Sequence, residues 1–449
     1  MTDSDGVAPL SRGSAAETPP RVWEVAAPPA ADRWWRRYEY LGAGVFAILL
    51  LALGALTING HYRFDDVNLY HRYALSFWNG APRFHQLPLE YPPLAIVPMT
   101  LVFLPPLNYV WVYGLWMSVA ALAGFLLVAR LTSWRNAAVY GAYLLVGATG
   151  TLLGRYDIVP AVATVAALWA VRRGRFRWAY SALAAGVLLK LYPLLLLPVI
   201  LIEHRRQLAQ WSTSGDESRR PPWSGMARPV RLAATSFGAV IASGLLVPAL
   251  LAPGGWTSPY AFALQRPIQV ESVPASVLWL VSFLGFPVHP DHSFHSFNLV
   301  GGLDTELKVL SLVALAAGCV WVYFRQASGR LSVGRAAFAC VCVVIATSKV
   351  FSPQYIMWVL PLAAMEEGPD LQWLAIAALT TAVFPVTYLH DNLRGPAPAA
   401  YSALLLALVT ARNALFVQAT WRAIVRSAPA PPIAITVAGR ALRQRRMPA

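Results

Sequence analysis

Long apolar runs alternate with short arginine clusters along almost the whole chain, and this pattern restricts the fold more than any other feature. Apolar runs occupy residues 41–59, 108–130, 136–153, 157–172, 230–252, 307–325, 335–350, 354–365, 371–388 and 398–419. With 57% hydrophobic and 13% charged residues among 449, the chain is too apolar for soluble domains of ordinary composition. We therefore predict an all-α polytopic membrane protein.

The arginine clusters orient these runs, because basic residues concentrate on the cytoplasmic side of a membrane protein. They lie within residues 33–37, 130–135, 172–177, 205–206, 219–231, 325–335 and 422–446. Neighbouring clusters must enclose an even number of crossings. Assigning the apolar runs to crossings under this rule predicts about twelve transmembrane helices in the plasma membrane, with both termini cytoplasmic. This topology also accounts for the net charge of +15, so no nucleic-acid partner is predicted.

Two apolar stretches do not fit simple crossings. Residues 92–107, PPLAIVPMTLVFLPPL, carry five prolines in sixteen residues, which predicts a re-entrant or juxtamembrane segment. Residues 178–202 lie between two arginine clusters and must return to the side they left, so we predict two half-helices with Lys190, Tyr192 and Pro193 between them. Broken helices are tolerated where they line a protein cavity, which predicts a polar cavity near Lys190.

The chain divides into two membrane modules between two tails. We predict a disordered cytoplasmic tail over 1–39, a core membrane module over 40–252 with an external loop at 60–107, a second module over 253–420 with an external loop at 253–303, and a basic cytoplasmic tail over 421–449. Some forty mostly polar residues precede the first apolar run, which is too many for a signal peptide, so that run is predicted to stay as an anchor. The three cysteines lie in apolar runs and are interpreted as packing residues.

The predicted topology gathers the polar residues on one side. Of the eight histidines, all but His204 fall on the external side or at its edge, and several acids and cations do the same. No phosphate-binding glycine loop or serine-nucleophile motif with suitable context is present. An enzyme on this face would take an activated substrate from the membrane. A carboxylate can remove a proton from an acceptor hydroxyl there, while cations hold a phosphate leaving group.

Four stretches carry a resemblance to a known family: DVNLY (66–70) with EYPPL (90–94), GRYDIVPA (154–161), RRGRFRWAYSALAAGVLLKLYPLLLLP (172–198) and SKVFSPQYIMWVLPL (348–362). On these residues the chain resembles the GT-C glycosyltransferases of the polyprenyl-phosphate-mannose-dependent alpha-mannosyltransferase type, glycosyltransferase family 87. The resemblance spans about residues 40 to 420.

The resemblance implies transfer of a sugar, with inversion, from a polyprenyl-phosphate donor to a hydroxyl of a glycolipid or envelope glycan on the extracytoplasmic face. The sugar it implies is mannose. It implies no cofactor and at most a weak dependence on a divalent metal. The D-V-x-x-Y register assigns the general base to Asp66, with Asp65 as the neighbour able to replace or tune it. Simple solvation of the two acids at a helix end remains the alternative.

Further candidates fall into two groups. Donor-phosphate candidates are Lys190, Lys349, Arg266 and Tyr192, and substrate-binding candidates are Tyr70, Tyr73, Glu90, Tyr91, Asp157, Glu271, Gln354 and Tyr355. Alternatives stay open: the lysines can snorkel to the headgroups, Tyr70 and Tyr73 can belong to an interfacial belt, and Glu90 can cap a helix. Arg266 can lie in a solvated loop, and Asp157 is expected to pair with Arg155.

Two further hypotheses concern metal and reaction class. His289, His292 and His295 with Asp291 superficially suggest a metal site, but this spacing lies in a Gly/Pro-flanked loop and matches no standard site, so no metal is predicted. A pentose (arabinose) transferase of the same fold is one alternative function, and a lipid-linked-sugar flippase or transporter is another. A transporter should bring polar residues to the midplane from both sides, whereas here they gather on one side, which favours the enzyme.

Overall fold

The computed structural model describes residues 33–59, 65–88, 90–104, 107–213, 227–252, 256–391 and 399–427. Side-chain surroundings are not described for 33–39, 57–59, 65, 210–213, 227–228, 388–391 and 399–401. From Trp35 onward, the described residues belong to one compact unit. This unit is mainly helical.

The first half of the chain contains α1 (Arg33–Asn59), α2 (Asp65–Asn79), α3 (Ile96–Thr100), α4 (Tyr109–Leu131), α5 (Trp134–Gly147), α6 (Ile158–Arg172), α7 (Phe176–Leu189) and α8 (Leu197–Thr213). The second half contains α9 (Ala227–Leu251), α10 (Ser258–Gln265), α11 (Val273–Ser282), α12 (Asp304–Ala327), α13 (Val333–Thr347), α14 (Ile356–Glu366), α15 (Leu371–Asp391) and α16 (Ala399–Val425). Short 3₁₀ segments occupy Pro93–Ala95, Leu101–Phe103, Tyr192–Leu196 and Pro353–Tyr355.

Four helices in the described part of the chain are long and apolar enough to cross a membrane. They are Tyr109–Leu131, Pro229–Leu251, Asp304–Ala327 and Ser402–Val425. Shorter apolar helices, such as Ile158–Arg172 and Val333–Thr347, accompany them. The predicted helical polytopic membrane fold is confirmed. The number of twelve crossings stays a prediction.

The break at Lys190 follows the prediction. Helix α7 ends at Leu189, Lys190 is extended (φ −152°, ψ 144°), and a 3₁₀ segment begins at Tyr192 before α8. Pro193 has no N–H for an α-helical bond, and its ring crowds the preceding turn, so a break is favoured at this point. The second half-helix is longer than predicted and continues to Thr213.

The proline-rich stretch 92–107 is also interrupted, as its composition predicts. In its described part, two 3₁₀ segments flank the single-turn helix α3. The Tyr109 hydroxyl donates to the Met99 carbonyl at 2.9 Å and ties this stretch to the start of α4. Its depth in the membrane stays a prediction.

Residues 253–303, the second predicted external loop, contain structure that the sequence did not predict. Besides α10 and α11 they form an antiparallel sheet of β1 (Ile268–Gln269), β2 (Val288–Ser293) and β3 (Ser296–Gly301), in the order β1-β3-β2. Gln269 pairs with Asn298, and Ser293 pairs with Ser296. Strands this short, of sequence IQ and VHPDHS, have no apolar alternation that would identify them.

The first and last helices overlap the two predicted tails by a few residues. Helix α1 begins at Arg33, because RWWRRYEY contains no proline or glycine to stop a helix, and α16 continues to Val425. Residues 1–32 and 428–449, the remainder of the two predicted tails, lie outside the described residues.

Several arginines of the predicted cytoplasmic clusters meet at one end of the helices. Arg335 at the start of α13 and Arg426 past the end of α16 both pair with Glu367, the latter at 2.8 Å. Arg422 pairs with Asp370 at 2.7 Å. This ionic network joins the α14–α15 connection to two other elements and lies at the opposite end of α13 and α14 from Lys349 and Tyr355.

Candidate active site

A cavity of about 540 Å³ collects most of the predicted site residues. Its lining includes Asp66, Glu90, Tyr91, Lys190, Tyr192, Arg266, Glu271, Lys349, Gln354 and Tyr355. These side chains come from the two predicted external loops, the α7–α8 break and the segment after α13. Residues separated by almost 300 positions therefore share one site.

Asp66, the predicted base, lies at the start of α2 and lines this cavity. Its carboxylate forms an ion pair with the Arg155 guanidinium, and the side chain retains 28% of its exposure. Arg155 thus holds the carboxylate at the cavity wall. Asp65 also begins α2, but its side chain lies outside the described set.

The expected pairing of Arg155 with Asp157 was wrong. Asp157 Oδ1 lies 3.3 Å from Lys190 Nζ and accepts a hydrogen bond of 3.0 Å from Trp358 Nε1. Asp157 is 1% exposed, and its Oδ2 has no hydrogen-bond partner. Sequence neighbours two positions apart at a helix start point in different directions, so each finds its partner on another element.

Four aromatic rings surround the Lys190 ammonium. Its Nζ lies 5.1 Å from the centre of the Tyr91 ring, 5.2 Å from Tyr156, 5.6 Å from Tyr355 and 5.8 Å from Trp358. A cation over ring faces at these distances is attracted by the ring quadrupole. The charge is therefore held in place beside the cavity, rather than snorkelling to the membrane surface.

Stacking stiffens one side of this aromatic surround. Trp358 is stacked between Tyr355 at 3.9 Å and Tyr192 at 4.4 Å. The Tyr192 hydroxyl lies 3.0 Å from Thr164 Oγ1 in the core, so Tyr192 presents its ring, with its hydroxyl engaged elsewhere. Tyr192 therefore supports Trp358, in addition to lining the cavity.

Tyr70 and Tyr73 are not among the residues that line the cavity. Tyr70 is fully buried, its hydroxyl lies 3.5 Å from that of Tyr91, and its ring packs edge-on against Tyr91 and Tyr156. Tyr73 is partly buried against the core. Tyr70 therefore packs behind two of the aromatic rings that surround Lys190 and does not belong to an interfacial belt.

Two further cations, Lys349 and Arg266, line the same cavity as Lys190. Lys349 Nζ donates to the Leu264 carbonyl at 2.9 Å. Burial, together with the positive charges of Lys308 and Arg266, lowers the pKa of Lys349 to about 8. Arg266 has a buried Nε without a hydrogen-bond partner. Lys349 and Arg266 therefore bring positive charge to the cavity wall. The hydrogen-bond acceptor of Lys349 is a backbone carbonyl and not a carboxylate.

Glu271 follows β1 in the chain and lies in a network of polar side chains. Its carboxylate accepts hydrogen bonds from Gln269 Nε2 at 2.7 Å and from Thr387 Oγ1 at 2.9 Å. Burial raises the pKa of Glu271, and the nearby Arg412 opposes that shift. Gln269 also donates to Ser352 at 3.1 Å, which connects the sheet to the segment after α13. Beside this network, Gln354 is buried with Oε1 unpartnered.

Glu90 contacts His295, which was considered only for a metal site and is not among the predicted substrate-binding residues. His295 Nδ1 lies 2.6 Å from Glu90 Oε1, which joins the two predicted external loops at the cavity. His295 and Phe294 form the two-residue turn between β2 and β3, with φ of 50° and 54°. Glu90 does not cap the 3₁₀ segment at Pro93, which has no side-chain cap. A two-residue connection between strands is typical of a β-hairpin, but such turns usually contain Asn or Gly. The residues Phe294 and His295 therefore gave no sign of this turn in the sequence.

Arg155, Tyr156, Trp358 and His295 are the main contributors that the site prediction omitted. Tyr156 and Trp358 lie in two of the motif stretches, GRYDIVPA and SKVFSPQYIMWVLPL. An apolar context alone is typical of packing residues, so neither ring was selected. No group of three or more potential metal ligands occurs among the described residues. His292 stacks on Phe297, while His295 turns toward Glu90.

The helical membrane fold and this carboxylate-and-lysine cavity define an integral-membrane protein with a polar site among broken helices. The profile of Glycosyltransferase family 87 matches residues 89–353, more than half of the 449 residues. The chain belongs to glycosyltransferase family 87, which confirms the resemblance seen in its motifs.

Other comparisons are weaker. No curated protein matches the chain. The crystal structure of ArnT from Cupriavidus metallidurans bound to undecaprenyl phosphate is similar over 88% of this chain and 76% of that chain, with 15% identity and a TM-score of 0.42. A similarity of this size adds nothing about the reaction.

Proposed function

We propose that this glycosyltransferase transfers mannose from a polyprenyl-phosphate donor to a hydroxyl of a glycolipid or envelope glycan on the extracytoplasmic face. The observation that supports it is the single cavity in which the Asp66 carboxylate, the Lys190 ammonium and the Lys349–Arg266 wall all take part. Family membership supplies the reaction class, and these side chains supply the groups that such a transfer needs.

Asp66 acts as the general base. It takes the proton of the acceptor hydroxyl, whose oxygen forms the new bond to the anomeric carbon of the sugar from the face opposite the phosphate. The bond between that carbon and the phosphate oxygen breaks, and its electron pair leaves with the phosphate. The anomeric configuration inverts. The ion pair with Arg155 keeps the carboxylate oriented toward the acceptor.

Lys190, Lys349 and Arg266 stabilise the phosphate as it gains charge in the transition state. Charge-assisted hydrogen bonds from such groups to phosphate oxygens are among the strongest in proteins. Asp157 and the aromatic rings hold Lys190 in position before the donor arrives. Preorganised charge of this kind costs no reorganisation at the moment of reaction.

The apolar part of the lining supports a lipid-linked donor. Leu191, Leu194 and Leu195 from the α7–α8 break, with Leu315 and Val344, form this part. Leu191 and Leu194 are 42% and 45% exposed, so the cavity edge is continuous with apolar surface of the protein. A polyprenyl chain would lie against these side chains with its phosphate among the cations.

The charges at the ends of the helices support an extracytoplasmic cavity. The ionic network of Arg335, Arg422, Arg426, Glu367 and Asp370 lies at the end of α13 and α14 away from the cavity. Arginine-rich connections are retained in the cytoplasm during membrane insertion. With the arginines inside, the cavity opens on the outer side, and both termini lie inside.

The test uses purified protein in lipid, labelled polyprenyl-phosphate mannose and a membrane glycolipid extract. Wild type is compared with Asp66→Asn, Asp65→Asn and the matched control Glu306→Gln, which neutralises an exposed acid of α12 outside the cavity. We expect transfer by wild type and by the control, and a loss of a hundredfold or more in a folded Asp66→Asn protein. Asp65→Asn should retain most of the activity.

Each other outcome has a definite meaning. Loss in Asp65→Asn with activity in Asp66→Asn moves the base to Asp65. If the protein transfers arabinose from polyprenyl-phosphate arabinose and transfers nothing from the mannose donor, the donor sugar is arabinose and not mannose. Movement of the labelled lipid across the bilayer, with no transfer to any acceptor, would make the protein a flippase.

A further inference from the structure

A second cavity, of about 360 Å³, lies at the start of α7, against α8 and α9. It lies at the opposite end of α7 from Lys190 and shares no residue with the active-site cavity. Its lining includes Arg175, Phe176, Arg177, Trp178, His204 and Leu232. Arg175, Phe176, Arg177 and Trp178 belong to the RRGRFRW cluster (172–178), whereas His204 lies on α8 and Leu232 on α9. The transfer reaction uses none of them.

The polar part of this cavity is positive. Arg175 and Arg177 are exposed at its edge, and Arg175 is the N-cap residue of α7, without a side-chain cap. The nearest acid on α8, Glu203, does not line the cavity and is engaged by Gln207 at 3.2 Å and Arg206 at 3.8 Å. No carboxylate among the described residues lines this cavity, so its edge attracts an anion.

The floor of the cavity is rigid. His204 is 4% exposed, its ring stacks on Phe176 at 3.8 Å, and its Nδ1 lies 3.1 Å from the Tyr180 hydroxyl. These contacts tie α8 to the first two turns of α7. The two arginines therefore extend from a defined surface, and not from a free loop.

The other part of the cavity is apolar and faces outward. Trp178 is 71% exposed beside Arg177, and Leu232 of α9 contributes a second apolar wall. Tryptophan is enriched where a membrane protein meets the lipid headgroups. A pair of arginines next to an exposed tryptophan matches a ligand with a phosphate at one end and hydrocarbon at the other.

We propose that this cavity binds the headgroup of an anionic phospholipid, with the phosphate between Arg175 and Arg177 and the glycerol and acyl chains along Trp178 and Leu232. Basic pockets between membrane helices are suited to anionic headgroups. A soluble phosphate would make no use of the apolar wall. The site is independent of the proposed transfer reaction.

The test titrates the purified protein with dioleoylphosphatidylglycerol or with dioleoylphosphatidylcholine and counts bound lipids by native mass spectrometry. Arg175→Gln/Arg177→Gln is compared with the control Arg205→Gln/Arg330→Gln, which removes two exposed charges that do not line the cavity, one on α8 and one in the α12–α13 connection. We expect one phosphatidylglycerol to bind at least tenfold more tightly than phosphatidylcholine. If each arginine raises the affinity roughly fivefold, the cavity variant should bind phosphatidylglycerol about 25-fold more weakly than wild type does.

The control should stay within about twofold of wild type, and Arg175→Lys/Arg177→Lys should recover much of the affinity, which separates lost charge from lost folding. Equal weakening in the control would show diffuse attraction and overturn the proposal. Equal binding of the two lipids would overturn it too. So would displacement of the lipid by millimolar inorganic phosphate, which would assign the arginines to a soluble anion.

Discussion

At the scale of single residues, the two active-site lysines occupy different electrostatic surroundings. Lys190 has the Asp157 carboxylate at 3.3 Å and four aromatic rings around it. Lys349 has a backbone carbonyl as its partner and the positive charges of Arg266 and Lys308 nearby. The Asp157 carboxylate holds the Lys190 ammonium in one position. Burial and the neighbouring cations disfavour the charged form of Lys349, so the charge of Lys349 depends on pH.

Replacing Asp157 tests the support of Lys190. Asp157→Asn removes the buried anion and leaves the ammonium without a paired charge, so we expect donor kcat/KM to fall about tenfold to a hundredfold in a folded protein. Trp358→Phe keeps a ring beside Lys190 but removes the hydrogen bond to Asp157, and its loss should be smaller. Equal activity in Asp157→Asn and wild type would show that Lys190 needs no carboxylate partner.

The pH dependence of donor binding should come from Lys349. Below pH 8 its side chain is protonated and attracts phosphate, and above pH 8 it becomes neutral, so kcat/KM for the donor should fall as pH rises. At pH 9 about one molecule in ten keeps the charge, which predicts a loss of roughly tenfold relative to pH 7. Steady-state kinetics between pH 7 and 9.5 measure it. Lys349→Arg should flatten the profile, since arginine stays charged; an unchanged profile would contradict this assignment.

At the scale of elements, irregular connections carry the site. The extended residue Lys190 lies between α7 and a 3₁₀ segment, and the turn at Phe294 and His295 has two non-glycine residues with positive φ. Such backbone conformations persist where surrounding contacts hold them, and they cluster at functional sites. Here the contact is between His295 and Glu90, and both turn residues line the cavity.

Replacing both residues of the β2–β3 turn tests whether this turn serves activity and not stability. Phe294→Asn/His295→Gly supplies residues that prefer positive φ, so we expect the unfolding temperature to stay the same or rise by a few degrees. Transfer should fall severalfold, because the contact with Glu90 and two cavity-lining side chains are lost. Thermal unfolding and the transfer assay on one preparation measure both. His295→Ala, which keeps Phe294 and loses the contact, serves as the comparison; full activity in both variants would remove the turn from the site.

At the scale of the whole molecule, charge is divided between two ends. The active-site cavity occupies one end of α13 and α14, and the arginine network occupies the other. The native cysteines of the described part are buried, at positions 319, 340 and 342, which allows single cysteines to report on orientation.

Labelling of intact cells tests this orientation. Glu306 and Arg330 are exposed and lie near opposite ends of α12. We expect Glu306→Cys to react with a membrane-impermeant maleimide in intact cells, and Arg330→Cys to react only after permeabilisation. The reverse pattern would place the cavity on the cytoplasmic side and contradict the proposed location of the acceptor.

Metal removal is a second test on the whole protein. Since the predicted site relies on lysine and arginine to hold phosphate, transfer by wild type should persist within about threefold after treatment with a chelator. A complete loss that added Mg²⁺ or Mn²⁺ restores would contradict the expectation of at most a weak metal dependence.

Sequence alone determined the helical membrane class, the family, the break at Lys190 and ten of the residues that line the cavity. These depend on local properties: the length of apolar runs, the missing N–H of proline and short motifs. Only the tertiary structure decided the ion pairs of Asp66 with Arg155 and of Asp157 with Lys190, the aromatic surround, the small sheet and the contact of His295 with Glu90. Partners such as Asp157 and Trp358 are 201 positions apart, and which side chains meet across that distance depends on how all the helices pack, which no local pattern encodes.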